Sequence, residues 1–250
     1  MTDKKVIIFD LDDTLTKSKQ PMDSETVLLL ERLLKDREVA IIGGASFKQI
    51  ERQVVNLLPQ EVIERGNLLI LPMDGGALWQ YKDGRWQKEY EEDISPELKK
   101  KVLEIIPKAL EEIRFTKPEK IYGEQVEDRG SQITFSALGQ EAPLEKKEKW
   151  SQEYQSEHHT LAAKIQEYLP EMEVKATGLT SIDITQKGID KKFGIEQIIK
   201  LLGVSKEDVL FIGDDFEPDG NDTPARSAGV DCIEVHSIEE TKKLIQQLLD

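Results

Sequence analysis

The fold of this chain is decided by the stretch from Val6 to Thr16, which has the sequence VIIFDLDDTLT. Its first four residues are apolar and mostly β-branched, which is typical of a strand buried on both faces of a parallel sheet. Asp10, Asp12 and Asp13 come directly after this apolar run. Open α/β sheets bind their ligands at the carboxyl ends of their strands. The stretch therefore predicts an α/β fold with a functional site after the first strand.

The acids after this strand suit phosphoryl transfer. Carboxylates crowded at the edge of a sheet repel one another unless a cation lies between them. In transfer through an aspartyl phosphate, one aspartate attacks phosphorus, a second moves the proton, and a divalent metal holds the first against the anionic substrate. We therefore expect Asp10 to be the nucleophile and a metal ligand, Asp12 the general acid and base, and Thr14 a residue that orients the phosphoryl group. The alternative for this stretch alone is an acidic turn without a catalytic role.

A lysine at the start of a later helix could supply positive charge. Residues 193–202 have helical periodicity, with a start near Asp190 and a stop at Gly203. Lys191 and Lys192 lie at this start, where the compact charge of a lysine can reach a phosphate and offset its repulsion by the nucleophile. The alternative is a solvated lysine in a first helical turn.

A second apolar strand also ends in acids. Residues 208–213 precede Asp214 and Asp215, and the following loop reaches Asn221 and Asp222. Two carboxylates about 4 Å apart repel by about 4 kcal/mol at an effective dielectric of about 20, so acids that converge from two strands imply a bound cation. Because the ligands are hard oxygens without clustered histidine or cysteine, we expect Mg²⁺. The alternative is an acidic surface loop.

The composition limits the class of protein. The chain has 250 residues, 38% of them hydrophobic and 33% charged, with a formal net charge of −15. This length allows a large core or two modest domains. A nucleic-acid partner requires a basic stripe, and none is visible in the sequence. Since neither a signal peptide nor a long apolar segment is found, we expect no membrane contact and a cytoplasmic location.

The core signatures are separated by a segment of different character. Residues 1–82 and 184–250 carry the units of the α/β core, and residues 83–183 are predicted to form an inserted α+β cap. Caps of this kind exclude water and select the substrate. Within or beside the insertion we predict a hairpin over 79–89, a helix from Ser95 to Arg114, a half-buried strand with one polar face over 132–138, and a helix over 143–168.

Together these motifs resemble the haloacid-dehalogenase-like (HAD) phosphotransferases of subfamily IIB. The D-x-D-x-T-L-T run that begins at Asp10 is similar to the first signature of that superfamily, and the insertion occupies the place of its large cap. The resemblance implies a Rossmann-like core with a parallel sheet and an inserted α+β cap of the C2 type. It assigns the motif lysine to Lys191 and favours Lys192 less.

The segments around Asp214 and Asp222 resemble the metal motif of the same superfamily. The resemblance implies that both are Mg²⁺ ligands and that the main-chain carbonyl of Asp12 is a further ligand. Asp215 and Asn221 are then expected to support the metal site from beside it.

Over most of its length the chain further resembles the eukaryotic-type phosphomannomutases and their bacterial relatives. Residues 41–47, 127–140 and 181–184 are similar to that family's phosphate-side turn and substrate strands. For Ser46 the alternative is the N-cap of a helix, and for Ser181 and Asp183 it is the outward face of an alternating strand. The substrate-binding residues implied by the resemblance are Gly44, Ser46, Lys19, Arg129, Gln140, Lys147, Ser181 and Asp183.

The departures from that family bear on the reaction. Its other clamp arginines fall on Lys19, Gln140 and Lys147, where the bidentate contacts of arginine are lost. A mutase must hold a bisphosphate while it turns round in the site, whereas a phosphatase binds one phosphate and a water. We therefore expect a Mg²⁺-dependent phosphatase that acts on a small sugar phosphate. A phosphomannomutase-like mutase and a non-catalytic sugar-phosphate sensor are the alternatives, and a homodimer through the cap stays open.

Overall fold

The structure is a computed structural model that describes residues 3–218 and 220–250. The chain forms two compact units. The larger unit runs to Glu91 and resumes with Ile189–Asp250, and the smaller unit is Glu92–Gly188. Within the described residues, no helix combines the length and the apolar character needed to cross a membrane.

The larger unit contains a sheet of seven strands in the part of the chain that the structure describes. These strands are β1 (Val6–Asp10), β2 (Glu38–Ile42), β3 (Leu68–Leu71), β4 (Ala77–Lys82), β5 (Arg85–Glu91), β10 (Val209–Gly213) and β11 (Asp231–Glu234). Their order is β11-β10-β1-β2-β3-β4-β5. The strands from β11 to β3 pair in parallel, and β4 and β5 add an antiparallel edge. This confirms the predicted α/β class with a mostly parallel sheet.

Helices pack against both faces of this sheet. Successive side chains of a strand point to opposite faces, so β1 contributes to two apolar cores. Ile7 and Phe9 lie in one core, Val6 and Ile8 lie in the other, and all are fully buried. Burying such a side chain stabilises the fold by about 1.5–3 kcal/mol. The helices are α1 (Ser24–Leu33), α2 (Phe47–Gln53), α3 (Gln60–Ile63), α6 (Lys191–Leu202), α7 (Thr223–Ser227) and α8 (Ile238–Leu249), with 3₁₀ turns at Val55–Leu57, Met73–Gly75 and Lys206–Asp208.

The register of β1 places three strand ends side by side. Phe9 pairs with Ile212 of β10, and Asp10 pairs with Ile42 of β2. Because all three strands are parallel, the residues that follow them meet at one edge of the sheet, which is where ligands bind in open α/β sheets.

The smaller unit has a separate antiparallel sheet of four strands among the described residues. Its elements are β6 (Val126–Asp128), β7 (Gln132–Ser136), β8 (Met172–Thr177), β9 (Ser181–Gln186), α4 (Pro96–Glu112) and α5 (Leu144–Tyr168), with the strands in the order β6-β7-β9-β8. Ile133 and Phe135 of β7 share an apolar core with Ile182 and Ile184 of β9 and with both helices. Ser95, with which the predicted helix begins, is the N-cap of α4 and accepts a hydrogen bond from the amide of Leu98.

The unit boundaries differ from those predicted at 82/83 and 183/184. The predicted hairpin forms as β4 and β5, but β4 pairs with the free edge of β3, so residues 83–91 extend the larger sheet. At the other boundary, the whole of β9 pairs with β7 and β8, and the smaller unit continues to Gly188. Local patterns predict the strands but not the sheet in which each strand finds its partner.

The strand predicted over 132–138 ends at Ser136, and its polar face is buried together with its apolar face. Gln132 donates a hydrogen bond to Thr134 (2.9 Å), and Thr134 donates one to Asp183 (2.7 Å). These hydrogen bonds pair the Gln132 amide nitrogen and the Thr134 hydroxyl at their buried positions, whereas Oε1 of Gln132 has no partner among the described residues.

Candidate active site

Three carboxylates and one lysine meet at the carboxyl edge of the larger sheet. Asp10 is the last residue of β1, Asp214 follows β10, and Asp222 precedes α7. One oxygen of each lies within 4.8 Å of the others. Lys191, the first residue of α6, has its Nζ 2.5 Å from Oδ1 of Asp10 and 2.5 Å from Oδ1 of Asp222. Residues from the end of β1, the start of α6 and the loop between β10 and α7 thus form one cluster.

The start of α6 is what brings Lys191 into this cluster. Asp190 caps the helix by accepting a hydrogen bond from the amide of Phe193, and Gly203 ends it in a left-handed conformation. Both predicted limits of this helix are confirmed. Gly194 lets the helix lie close to the sheet, because a Cβ there would be 2.6 Å from Cδ1 of Ile42. Lys191 is consequently fully buried, so the alternative of a solvated lysine is wrong.

Asp222 shapes the loop that follows β10. Its Oδ2 accepts hydrogen bonds from the amides of Asp214 (2.9 Å) and Asp215 (3.0 Å). A Cβ on Gly213 would lie 2.4 Å from the same oxygen, so this position requires glycine. Asn221 donates its amide to Oδ2 of Asp215 (3.2 Å). Asp215 and Asn221 therefore hold the loop together and lie outside the group of three acids.

Burial and the repulsion among the three acids disfavour the ionised forms of Asp10 and Asp214, while Lys191 favours them. Burial raises the pKa of Asp10 well above its usual range, and Asp222 and Asp214 raise it further while Lys191 opposes them. Burial likewise raises the pKa of Asp214, and Asp222 adds to the effect. Burial opposes the charge of Lys191, but Asp10 and Asp222 outweigh it and hold the lysine pKa above its usual value. One buried lysine faces three buried or half-buried acids.

This donor set fits a divalent cation. Asp10, Asp214 and Asp222 supply hard anionic oxygens at mutual distances that one ion can bridge. A cation among them would lower the repulsion that raises the pKa values of Asp10 and Asp214. The main-chain carbonyl of Asp12 as a further ligand stays a prediction.

Asp12 and Thr14 lie in a tight turn directly after β1. Asp13 adopts a left-handed conformation (φ 61°), and its amide donates to the carbonyl of Thr16 at 2.6 Å. Oδ1 of Asp12 accepts from the amide of Lys19 at 3.0 Å. The hydroxyl of Thr14 donates to Oδ1 of Asp214 at 3.0 Å. The turn thus places the Thr14 hydroxyl against Asp214 of the acidic cluster, and it places one carboxylate oxygen of Asp12 against the Lys19 amide.

The turn after β2 contains Gly44 and Ser46. Ser46 is the N-cap of α2 and accepts a hydrogen bond from the amide of Gln49 (3.4 Å), which was the alternative for this residue. The amides of Met73 and Asp74, two residues with positive φ, donate to the carbonyls of Ala45 (3.1 Å) and Gly43 (2.9 Å). A phosphate contact from Gly44 or Ser46 stays a prediction.

Of the other predicted substrate residues, Lys19 lies in the larger unit, where its amide donates to Asp12, and the rest belong to the smaller unit. The guanidinium of Arg129 donates through Nε (2.9 Å) and Nη2 (2.7 Å) to the Glu127 carboxylate. Gln140 donates to the carbonyl of Thr134 (3.3 Å), and Lys147 is buried within α5.

Ser181 and Asp183 lie on the same face of β9. The Asp183 carboxylate accepts from the hydroxyls of Thr134 and Thr177, both at 2.7 Å. The main-chain carbonyl of Ser181 is 2.8 Å from Nε2 of His158. Both residues are half-buried, so the outward strand face expected as their alternative is only partly exposed.

Sequence reasoning missed Gln53, whose amide nitrogen lies 3.2 Å from Oδ1 of Asp12. Its position could have indicated a special role. Gln53 is three residues after Ile50 on the buried face of a short helix, where an apolar residue is expected. Thr134 and Thr177 were also missed, and an alternating strand pattern contains no signal for their contact with Asp183.

Comparisons with known proteins agree with this architecture. The family model of haloacid dehalogenase-like hydrolases matches residues 7–223. Phosphomannomutase 1 of Homo sapiens is 25% identical over 225 residues, which are 88% of this chain and 82% of that protein. The phosphomannomutase of Encephalitozoon cuniculi is 26% identical over 253 residues, 99% of this chain and 94% of that protein.

Solved structures show the same fold. An IMP-bound, N-terminally truncated IMP-nucleotidase of Plasmodium falciparum aligns with a TM-score of 0.69 at 17% identity, over 98% of this chain and 68% of that one. A haloacid dehalogenase-like hydrolase of Bacteroides thetaiotaomicron aligns with a TM-score of 0.65 at 14% identity, over 98% of this chain and 99% of that one.

Proposed function

This chain belongs to the haloacid dehalogenase-like hydrolases, and on that premise we propose that it is a Mg²⁺-dependent phosphatase of sugar phosphates that acts through an aspartyl phosphate on Asp10. The observation that carries the proposal is the convergence of Asp10, Asp214, Asp222 and Lys191 at the carboxyl edge of the sheet. A carboxylate nucleophile needs positive charge around it when it meets a phosphate dianion. Lys191 supplies one positive charge, and a cation held by the three acids would supply more.

In the first half-reaction, a carboxylate oxygen of Asp10 attacks phosphorus and the ester P–O bond breaks. Asp12 gives its proton to the departing sugar oxygen, which leaves as an alcohol. In the second half-reaction, Asp12 takes a proton from water, the water oxygen attacks phosphorus, and the bond to Asp10 breaks to regenerate the carboxylate and release phosphate.

Lys191 stays protonated throughout and balances the charge of Asp10 and Asp222. Mg²⁺, held by Asp10, Asp214 and Asp222, would supply positive charge against the phosphoryl oxygens. Thr14 donates to Asp214 and so fixes the direction of one proposed metal ligand.

Hydrolysis is favoured over mutase activity by the residues at the clamp positions. Lys19, Gln140 and Lys147 cannot make the bidentate contacts of arginine. Arg129 is the arginine that remains, and its guanidinium is already engaged by Glu127. The relatives that are phosphomannomutases make the mutase reaction the second candidate.

Phosphate release from a panel of sugar phosphates and from p-nitrophenyl phosphate tests the proposal. Asp10→Asn should abolish release, whereas Asp13→Asn, an exposed neighbour whose left-handed conformation asparagine tolerates, should retain most of it. Adding a hexose bisphosphate separates the candidates, because a mutase is primed by it. If the native protein isomerises hexose phosphates faster than it releases phosphate, the phosphatase assignment is wrong.

A further inference from the structure

Gln53, the last residue of α2, is a buried polar side chain beside the proposed general acid and base. It is 3% exposed. Its amide nitrogen lies 3.2 Å from Oδ1 of Asp12, 3.0 Å from the hydroxyl of Thr16 and 3.1 Å from the carbonyl of Gln20. Its side-chain oxygen accepts a hydrogen bond from the side-chain amide of Gln49 at 2.8 Å.

The orientation of the Gln53 amide follows from these partners. A carboxylate and a main-chain carbonyl can only accept hydrogen bonds, and both face the nitrogen. The reversed amide would place an oxygen against Asp12 and Gln20 and would lose the hydrogen bond from Gln49. Gln53 therefore donates to Asp12.

A second donor reaches the same oxygen of Asp12. Lys19 has a left-handed backbone (φ 60°), and its amide donates to Oδ1 of Asp12 at 3.0 Å. The main-chain carbonyl of Gln53 accepts from the amide of Met22 at 3.0 Å. Gln53 thus binds the loop that follows Thr16 through the Gln20 carbonyl and the Met22 amide, and it also holds one carboxylate oxygen of Asp12.

We propose that Gln53 is a positioning residue for Asp12. By holding Oδ1 together with the Lys19 amide, it leaves Oδ2 as the oxygen that gives a proton to the leaving group and takes one from water. This inference rests on the phosphatase reaction proposed above. Displacement of a proton-transfer group by about 1 Å can lower the reaction rate about 100-fold. Loss of the buried donor 3.2 Å from Oδ1 of Asp12 should therefore lower the rate.

The expected signature is a dependence on the leaving group. A sugar alkoxide must be protonated as it leaves, whereas nitrophenolate leaves without a proton. Gln53→Met keeps the side-chain volume and removes the donor. It should lower kcat for the best sugar phosphate of the panel by about 10-fold to 100-fold, within the usual contribution of general acid catalysis, with KM unchanged.

Rapid-mixing kinetics provide the matching measurement on p-nitrophenyl phosphate. The burst of nitrophenolate reports the formation of phosphoenzyme, and its rate should stay within about 3-fold of the native rate, because this step needs no proton from Asp12. The steady rate after the burst should fall, because Asp12 must still take a proton from water. An equal loss in the burst and on the sugar phosphate overturns the inference, as does no loss on either.

Two further variants complete the experiment. Gln49→Met removes the group that fixes the Gln53 amide at a half-buried site, and it should give the same selective loss at a smaller size even if Gln53→Met fails to fold. Gln80→Met is the matched control, because Gln80 is a half-buried glutamine that donates to the carbonyl of Gly66 (2.9 Å). It should leave both rates unchanged. A native protein inactive on every phosphate ester refutes the proposed function itself, whereas an active native protein with unselective variants refutes only the role of Gln53.

Discussion

Replacement of Lys191 by methionine tests the charge balance of the acidic cluster. The ammonium group is fully buried and lies 2.5 Å from an oxygen of Asp10 and of Asp222. Methionine keeps most of the length of the side chain but leaves these carboxylates buried without their cation. Removing one partner of a buried ion pair costs about 3–5 kcal/mol, because the remaining charge stays uncompensated. We expect the free energy of unfolding to fall by that amount.

Thermal unfolding in the presence of a chelator measures this loss. A domain of this size loses about 2–4 °C in Tm per kcal/mol, so Lys191→Met should lower Tm by about 6–20 °C. Lys192→Met is the matched control, since Lys192 is the neighbouring, half-buried lysine of the same helix, and it should change stability by less than about 0.5 kcal/mol. Excess Mg²⁺ should restore part of the loss, because an ion that binds the folded state stabilises it. Equal Tm values for the two variants would show that Lys191 does not balance the charge of Asp10 and Asp222.

Asp214→Asn should weaken Mg²⁺ binding by at least about 10-fold to 100-fold, the range seen for changes around metal ligands, and unchanged affinity in a calorimetric titration would contradict its place in the site. Gly194→Ala should lower the free energy of unfolding by about 1–3 kcal/mol in a denaturant titration, because the new Cβ overlaps Cδ1 of Ile42 at 2.6 Å; native stability would show that the helix is not held this close. Burial lowers the pKa of His158, and the Ser181 carbonyl, His159 and Asp183 lie around its ring. As pH falls through about 6.5, His158 is therefore protonated in the unfolded chain before it is protonated in the folded one, and stability is lost. His158→Gln should reduce this acid sensitivity, whereas the exposed His159→Gln should not, and equal behaviour of the two variants would exclude the assignment.

The parts of the site that sequence reasoning predicted are those encoded in short, continuous segments. The run from Val6 to Phe9 has the composition of a doubly buried strand, and Asp10 follows it directly, so its place at the sheet edge could be expected. Lys191 could be placed because Asp190 and Gly203 carry the cap and stop signals of one helix. In each case the residues that determine the local structure are neighbours in the chain.

The features that could not be predicted depend on partners that are distant in the sequence. The hairpin around Asp83 and Gly84 has a clear turn signal, but its sheet is determined by the free edge of β3. The polar face of β7 is buried because Thr134 finds Asp183 on β9. Gln53 is 41 residues from Asp12 in sequence, and no local pattern connects them. A residue pattern specifies which face is polar, but the fold decides what that face meets.

In the proposed reaction, the carboxylate of Asp10 carries the phosphoryl group between the two half-reactions. To detect this aspartyl phosphate, the native protein is quenched during turnover of p-nitrophenyl phosphate, the acyl phosphate is reduced with borohydride, and the product is located by peptide mass spectrometry. Because an aspartyl phosphate is reduced to homoserine, we expect homoserine at position 10 in the native protein and none in Asp10→Asn. Release of phosphate by a native protein in which position 10 remains aspartate, or in which another residue carries the modification, would exclude Asp10 as the nucleophile.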